Sequence, residues 1–564
     1  MTVYTSRIDT ALAYLAGGDS VRAEALFRAV LAEAPHCGAA WHGLACVARH
    51  TDQPRLAIAS VAQALTLAAD DREKAQFHLT LAAALDEAGH LREAIAACRV
   101  VLLLEPREFR AKAFLSELLY RSDLEKEAAS VFAEALSLAA EPVPLLMRHG
   151  TFLMTERRFA AAVETFEVLA ALCPRDAMAY ANLGAAHFEK GDMGAAHDAL
   201  ERAAALASPS AQTLNNLGLV CQALGLFAEA DTAFAQAVAH APDDHVIAVN
   251  RATLLAESGR QEEAKTVFLS AMQCGGALAA QARFNLSMID LASGNFAEGF
   301  KHFESRREVL GLKPFATPWQ GEVTELRVRV EAEQGLGDMI QFLRFVPEAA
   351  RRAPLVLALP EQIRPLLDFM PSMTPLLQSQ RVRLEGEAQL GCSLLSLPAL
   401  LGVTRIDPAS YLDFGGVREP GRIGIFRAGS ASYRFDARRS LTHDCLAPLL
   451  TVPGLDFVNF QQGDAPEGMA QGVGATLIDT ARAMSRCEIV IGVDTMLAHL
   501  AGAMGVPLWL LDREGGDWRW QGPDWYRTMR VFRPEGLLPP AQAWPPVIAR
   551  VAEALHARSG CDGL

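Results

Sequence analysis

AMAYANLGAAHFEKGDMGAAHDALERAAALASPSAQTLNNLGLVCQALGLFAEADTAFAQAVAHAP, residues 177–242, states one phrase twice. Asn182-Leu183-Gly184 returns 34 residues later as Asn216-Leu217-Gly218. Each triplet is followed by an Ala and then a bulky residue four positions on: Ala196 and Leu200 in the first copy, Ala230 and Phe234 in the second. The small residues let two helices approach closely, Lys190-Gly191-Asp192 turns the chain between them, and Pro242 ends the second helix. Outward from here the register recurs at Ala23, Phe27 and Pro35, at Ala94, Cys98 and Pro106, at Ala128 and Phe132, and at Ala162, Phe166 and Pro174. Weaker copies sit at Ala57 and Val61, Ala264 and Phe268, and Gly299 and Phe303, which makes nine units with a period of about 34 residues.

A two-helix unit of this length cannot bury its apolar face alone, so neighbouring units must stack, with the first helices lining a groove. Over residues 4–308 the pattern resembles the tetratricopeptide repeat, whose grooves hold a partner's peptide. One groove position stands out. The sixth residue of the last four repeats is Asn182, Asn216, Asn250 and Asn285, where earlier repeats carry Arg148, Phe114, Thr80 and Gly43. An amide side chain offers a donor and an acceptor and can pair with a peptide unit without reading its side chains. The row resembles the asparagine ladder of the nucleocytoplasmic O-linked N-acetylglucosamine transferases, which would make these four residues acceptor-binding. Asn is also common at this position of tetratricopeptide repeats in general, so a packing role fits equally well.

The 564-residue chain is 51% hydrophobic and 21% charged, with a net charge of −14. That acidity argues against a general nucleic-acid binder, because phosphate backbones are held by clustered Lys and Arg. The ten cysteines (37, 46, 98, 173, 221, 274, 392, 445, 487 and 561) show no CxxC pair and no zinc-finger spacing, and read as reduced thiols of a cytoplasmic protein. Arg7 and Asp9 interrupt what would have to be the apolar stretch of a signal peptide, and Asp494 and His499 interrupt the most apolar long window, 489–511, so no membrane span is expected.

After Phe303 the repetition stops, and residues 312–321, with Pro314, Pro318 and Trp319, read as a connection. Beyond it, short apolar runs alternate with helical stretches: 326–330 and 355–359, then a second set at 422–426, 457–460, 489–492 and 508–511. This is the pattern of parallel sheets, in two α/β lobes with a ligand cleft at the strand ends. EQGLGD, residues 333–338, lies between a strand and a helix. Gly335 and Gly337 permit close backbone approach of a bound donor, whose anion the amides at the helix N-terminus would stabilise, and Asp338 is placed either to accept a proton from a hydroxyl or simply to cap the helix. GVDTMLAHLAGA, residues 492–503, is a second strand-to-helix passage. There Thr495 and its neighbouring amides are placed to hold phosphate oxygens, with His499 one turn on along the same face, or else the passage is a capped helix with a satisfied, half-buried His. Arg427, Arg434, Arg438 and Arg439 form a basic cluster that suits a diphosphate or an acidic sugar, or else an ordinary salt-bridged surface.

EQGLGD, the SLP of 396–398, Arg439-Ser440, GVDTMLAHLAGAMGVP and the DWRW of 517–520 together resemble a bacterial family of tetratricopeptide proteins fused to a domain similar to the heptosyltransferases and the O-linked N-acetylglucosamine transferases. The resemblance implies an all-α tetratricopeptide solenoid over 1–310, a linker over 311–322, and an α/β domain of the GT-B type with two Rossmann-like lobes, 323–415 and 416–564. It implies that Asp338 is the general base, that Asp494, Thr495 and His499 belong to a donor-binding Asp-Thr-x-x-x-His motif, and that no metal or other cofactor is needed beside a nucleotide-sugar co-substrate. Met496 stands where that family usually has Gly, and its side chain is expected to narrow the phosphate pocket.

Within the family the chain looks like the flagellin-modifying transferases of the FlmG type, which implies flagellin as partner and a nonulosonic acid, pseudaminic or legionaminic, carried by cytidine monophosphate. In this reading His499 assists departure of the phosphate, Arg427 and Arg439 are further donor contacts, and Trp518 and Trp520 wall the cleft. Two other readings use the same residues: a non-catalytic adaptor with a degenerate transferase domain, which Met496 favours, and a transferase acting on lipopolysaccharide or another glycan, which leaves nine repeats unexplained.

Overall fold

The computed structural model describes residues 2–206, 209–333, 335–430, 433, 435–463, 465–466 and 469–559. Gln334, Arg434 and Cys561, each named above, lie outside the described residues. The chain divides into two compact units, Met1–Asp192 and Met193–Leu564.

The first unit is entirely helical, eleven helices from Thr2–Ala16 to Ala177–Lys190. Seven more, Met193–Leu206 to Phe296–Phe303, open the second unit, so the nine expected helix pairs follow one another along the chain among the described residues. Their turns are sequence-encoded. Asp19, Asp176 and Asp244 cap helices by accepting backbone N–H bonds, each worth about 1 kcal/mol. Gly191 takes a left-handed φ of 93° where the chain must reverse.

The Ala and bulky markers of every repeat are buried. Their chemistry is a ring laid on a bare backbone: a Cβ added to Gly43 would fall 2.3 Å from the Phe27 ring, one on Gly150 2.4 Å from Phe166, and one on Gly218 2.8 Å from Phe234. Only glycine lets those helices close on the ring.

The second unit continues with two parallel sheets. The first has strand order β3-β2-β1-β4, with β1 Val328–Glu331, β2 Leu355–Ala358, β3 Val382–Arg383 and β4 Leu390–Ser393. The second has order β10-β9-β8-β5-β6-β7, with β5 Glu419–Phe426, β6 Asp456–Asn459, β7 Ala470–Gln471, β8 Cys487–Val493, β9 Leu508–Leu511 and β10 Met529–Phe532. All named pairings are parallel, and strands such as Leu355–Ala358 and Leu508–Leu511 are apolar along their whole length, as both faces are covered.

The helices end at Val309, but the packing boundary lies earlier, at Met193. The reason is a shared core. Leu291, Phe296, Phe300 and Phe303 of the last repeat are buried together with Phe342, Trp518 and Trp525 of the sheet region. Phe300 meets Phe342 and Trp518 edge-on, both at 6.3 Å, and Phe296 meets Trp525 at 6.2 Å. Each such side chain contributes about 1.5–3 kcal/mol by leaving water. Arg306, fully buried, bolts the junction: it donates to Glu304 at 2.6 Å, to Ser396 at 2.9 Å, to the Phe303 carbonyl at 3.2 Å and to Glu333. Glu333, the first residue of EQGLGD, is thus a structural counterion, and Ser396 of the SLP triplet anchors the same arginine.

None of the described cysteines forms a disulfide, and no helix among the described residues is long and apolar enough to cross a membrane.

Candidate functional site

The C-terminal ends of both sheets open on one cleft of about 1410 Å³. Pro360, Glu361 and Gln362 follow β2, Ala428 and Gly429 follow β5, Gln461 and Gln462 follow β6, and Asp494 and Thr495 follow β8. Gly335, Leu336, Gly337 and Asp338 line it from the first sheet's side, and Asp517, Trp518 and Arg519 from the second's. This is where open parallel sheets take ligands. Phe284 and Met288 of the helix Gly276–Ala292, with Phe303, line it too, so the last repeat supplies part of the wall.

Asp338 sits in the first turn of the helix Leu336–Phe342, and its Oδ2 accepts the Gly335 N–H at 3.3 Å, capping the helix from its third position. The capping role and an open cleft position coexist. Oδ1 is held at 2.5 Å by Arg519 Nη2. Arg519 is itself buried and fixed by Asp517 at 2.9 Å, by Gln341 Oε1 at 2.6 Å, and by the Trp518 ring 4.4 Å below its guanidinium. Burial pushes the Asp338 carboxyl above its ordinary range, and Arg519 opposes that shift. The outcome is an oriented carboxylate, more basic than a solvated one, with lone pairs left for a hydroxyl.

Across the cleft, Thr495 caps the helix Met496–Ala503 in extended conformation. Its hydroxyl makes no capping bond, and Oγ1 is buried without a hydrogen-bond partner, a costly arrangement unless a ligand completes it. Free amides of the helix N-terminus and this hydroxyl together suit an anion. Asp494 is raised by burial and by Asp517, with Arg439 pulling the other way. Met496 heads the helix and lines the cleft.

His499 lines the cleft from within the wall. Its ring stacks on Trp520 at 4.8 Å, and Nδ1 lies 3.0 Å from the Tyr526 hydroxyl. Burial, then Arg519 and Arg344, hold its pKa well below the ordinary value, so at neutral pH it offers a hydrogen bond and no charge. A Cβ on Gly337 would lie 2.9 Å from His499 Cδ2 and 3.3 Å from Met496 Cα. Gly337 therefore serves close approach of two helices, while Gly335 is exposed at the rim. Of the two tryptophans expected at the wall, Trp518 lines the cleft, and Trp520 lies buried behind His499.

The basic cluster is dispersed by folding. Arg427 is not among the cleft-lining residues; its Nη1 donates to the Leu441 carbonyl at 2.8 Å. Arg438 is buried against the repeats, 3.0 Å from Glu257 and over the Phe227 ring at 4.6 Å. Arg439 does reach the cleft, donating to the Asp494 carbonyl at 2.7 Å and to Asp436 at 2.9 Å. Among the described lining residues the cations are Arg439 and Arg519, against Asp338, Glu361, Asp494 and Asp517. Arg519, flagged by sequence only as part of DWRW, is the cleft-lining residue the sequence reading did not single out.

Tetratricopeptide repeat profiles match residues 8–72, 148–211 and 211–244. The helical region is a tetratricopeptide array. Over 414 residues the chain is 28% identical to Protein FlbA of Caulobacter vibrioides, covering 63% of this chain and 69% of that one. That share exceeds the helical region, which ends at Val309. Similar solved structures include a tetratricopeptide repeat protein from Parabacteroides merdae, at 19% identity and TM-score 0.31 over 44% of this chain and 98% of that one. Another is the C-terminal part of a TPR repeat-containing protein from Cytophaga hutchinsonii, at 12% identity and TM-score 0.36 over 43% and 98%.

In the tetratricopeptide repeats the four asparagines are all half-buried, and their amides are partly engaged. Asn182 Nδ2 meets Met147 Sδ at 3.6 Å. Asn216 accepts from Gln212 at 2.9 Å, Asn250 donates to the buried Asn215 Oδ1 at 2.9 Å, and Asn285 both donates to Thr253 at 2.9 Å and accepts from Gln281 at 2.8 Å. The last two are built into the inter-helix contacts.

Proposed function

We propose that this chain is a protein O-glycosyltransferase of the GT-B type, in which tetratricopeptide repeats hold a polypeptide and the cleft between the sheets transfers a sugar to its Ser or Thr. The observation that carries the reading is that Asp338, the unsatisfied Thr495 hydroxyl at a helix N-terminus, and repeat residues Phe284 and Met288 all line one cleft. A base, an anion seat and a peptide-side wall are the three parts such a reaction requires.

The acceptor oxygen bonds to the anomeric carbon while the bond from that carbon to the phosphate oxygen breaks. Asp338 takes the hydroxyl proton, and Arg519 keeps its carboxylate turned to the cleft. The departing phosphate is received by the amides after Thr495, the Thr495 hydroxyl and Arg439, with neutral His499 shaping the seat. The motif resemblance favours flagellin as acceptor and a cytidine monophosphate-linked nonulosonic acid as donor.

Intact mass spectrometry of flagellin co-expressed with this chain and a nonulosonic acid pathway tests the reading. A sugar-sized mass increase is expected with the wild type and not with Asp338→Asn, while flagellin still co-purifies with both. Wild-type-level modification by Asp338→Asn would remove Asp338 as base. No modification by the wild type, with donor present and flagellin bound, would favour the adaptor reading.

A further inference from the structure

Away from the cleft, three successive helices of the array bring a histidine, a cysteine and a glutamate to one point. His197 lies on Met193–Leu206, Cys221 on Ala211–Leu224 and Glu229 on Phe227–His240, and one ligand atom from each falls within 4.8 Å of the others. None of the three lines the cleft. His197 Nε2 is buried without a hydrogen-bond partner, with Glu229 Oε2 3.5 Å away. Behind the ring, Nδ1 faces Glu201 Oε2 at 3.7 Å and Asp198 Oδ1 at 3.9 Å. A carboxylate behind a histidine whose other nitrogen is vacant is the arrangement that orients a metal-binding imidazole. The Cys221 thiol is buried beside the His197 ring and within reach of the Glu229 carboxylate.

We propose that His197, Cys221 and Glu229 form a zinc site that staples three consecutive helices of the array. The mixed donor set of nitrogen, sulfur and oxygen suits Zn²⁺, whereas Mg²⁺ and Ca²⁺ take oxygen ligands. Zinc needs its ligand atoms about 3.2–3.8 Å apart, given bonds of roughly 2.0–2.3 Å. The exposed Glu229 side chain supplies that closure by rotating inward, and water completes a tetrahedron. Binding displaces the thiol proton to solvent, and no redox partner is involved.

The test uses the full chain, purified without a histidine tag, stripped with a chelator and titrated with Zn²⁺ against a chromophoric competitor, then with Co²⁺. One equivalent of tight Zn²⁺ is expected, with a thiolate-to-cobalt charge-transfer band and tetrahedral d–d absorption for Co²⁺. Cys221→Ser should abolish the charge-transfer band, and both it and His197→Asn should weaken Zn²⁺ by roughly 10-fold or more. Absence of stoichiometric Zn²⁺ binding by the wild type overturns the proposal. So does an unchanged band and affinity in both variants, which would move the metal to other thiols such as Cys46, 3.7 Å from His42.

Discussion

Asp338 and Arg519 are 181 residues apart in sequence and 2.5 Å apart in space, and their pairing fixes a pH dependence. In the proposed reaction the base must be unprotonated, so transfer is expected to rise with pH through the Asp338 pKa. Burial raises that pKa and Arg519 lowers it. Arg519→Met removes the opposing charge, so the acid limb of the pH–rate profile should move to higher pH by about one unit or more, and Arg519→Lys should return it toward the wild type. The two motif glycines separate just as cleanly. Gly337→Ala places a methyl 3.3 Å from the Met496 backbone and should lower stability by about 1–3 kcal/mol in thermal melts. Gly335→Ala, whose Cβ meets only Asp338 Oδ2 at 3.5 Å, should be near neutral. The sequence pointed to Asp338 and Thr495 because both stand at strand-to-helix passages, which are local features. It could not show that Arg519 holds Asp338, since nothing local announces a pair separated by that much chain. Nor could it show that Arg427 and Arg438 turn to a carbonyl and to Glu257, because a run of arginines reads as pooled charge until folding distributes it.

At the scale of the helices, the asparagine positions divide into two kinds. Asn250→Ala strands the buried Asn215 carbonyl and should cost about 1–3 kcal/mol by chemical denaturation. Asn216, whose contact is the exposed Gln212, should be replaceable by Ala with little change in stability while acceptor-peptide affinity falls. Equal stability losses at both positions would mean the row is packing alone. The repeat register was readable because nine copies average out local noise, and each marker is a buried contact, as in Phe234 against Gly218. The strands were readable as uninterrupted apolar runs. Their order was not, because strand neighbours are chosen by crossovers that leave no mark in any single strand.

At the scale of the whole chain, the decisive border is Met193, where the packing changes, and not residue 310, where the repetition ends. Residues 193–564 produced alone should be soluble and unfold cooperatively. Residues 311–564 should aggregate, because Trp518, Trp525 and Phe342 lose Phe296, Phe300 and Phe303, and Glu333 loses Arg306. Size-exclusion chromatography and circular dichroism melts of the two fragments check this. Sequence showed where the period stops, but a period says nothing about which surface a repeat covers next. The shared core also bears on descent. Arrays of this kind change length when a copy is duplicated or lost by recombination between like segments. A copy after Met193 must fit its neighbours and the sheets at once, so a crossover there has two surfaces to satisfy together. Gains and losses of repeats among descendants of this gene are therefore expected upstream, leaving the copies fused to the sheets as the fixed end from which the array grows.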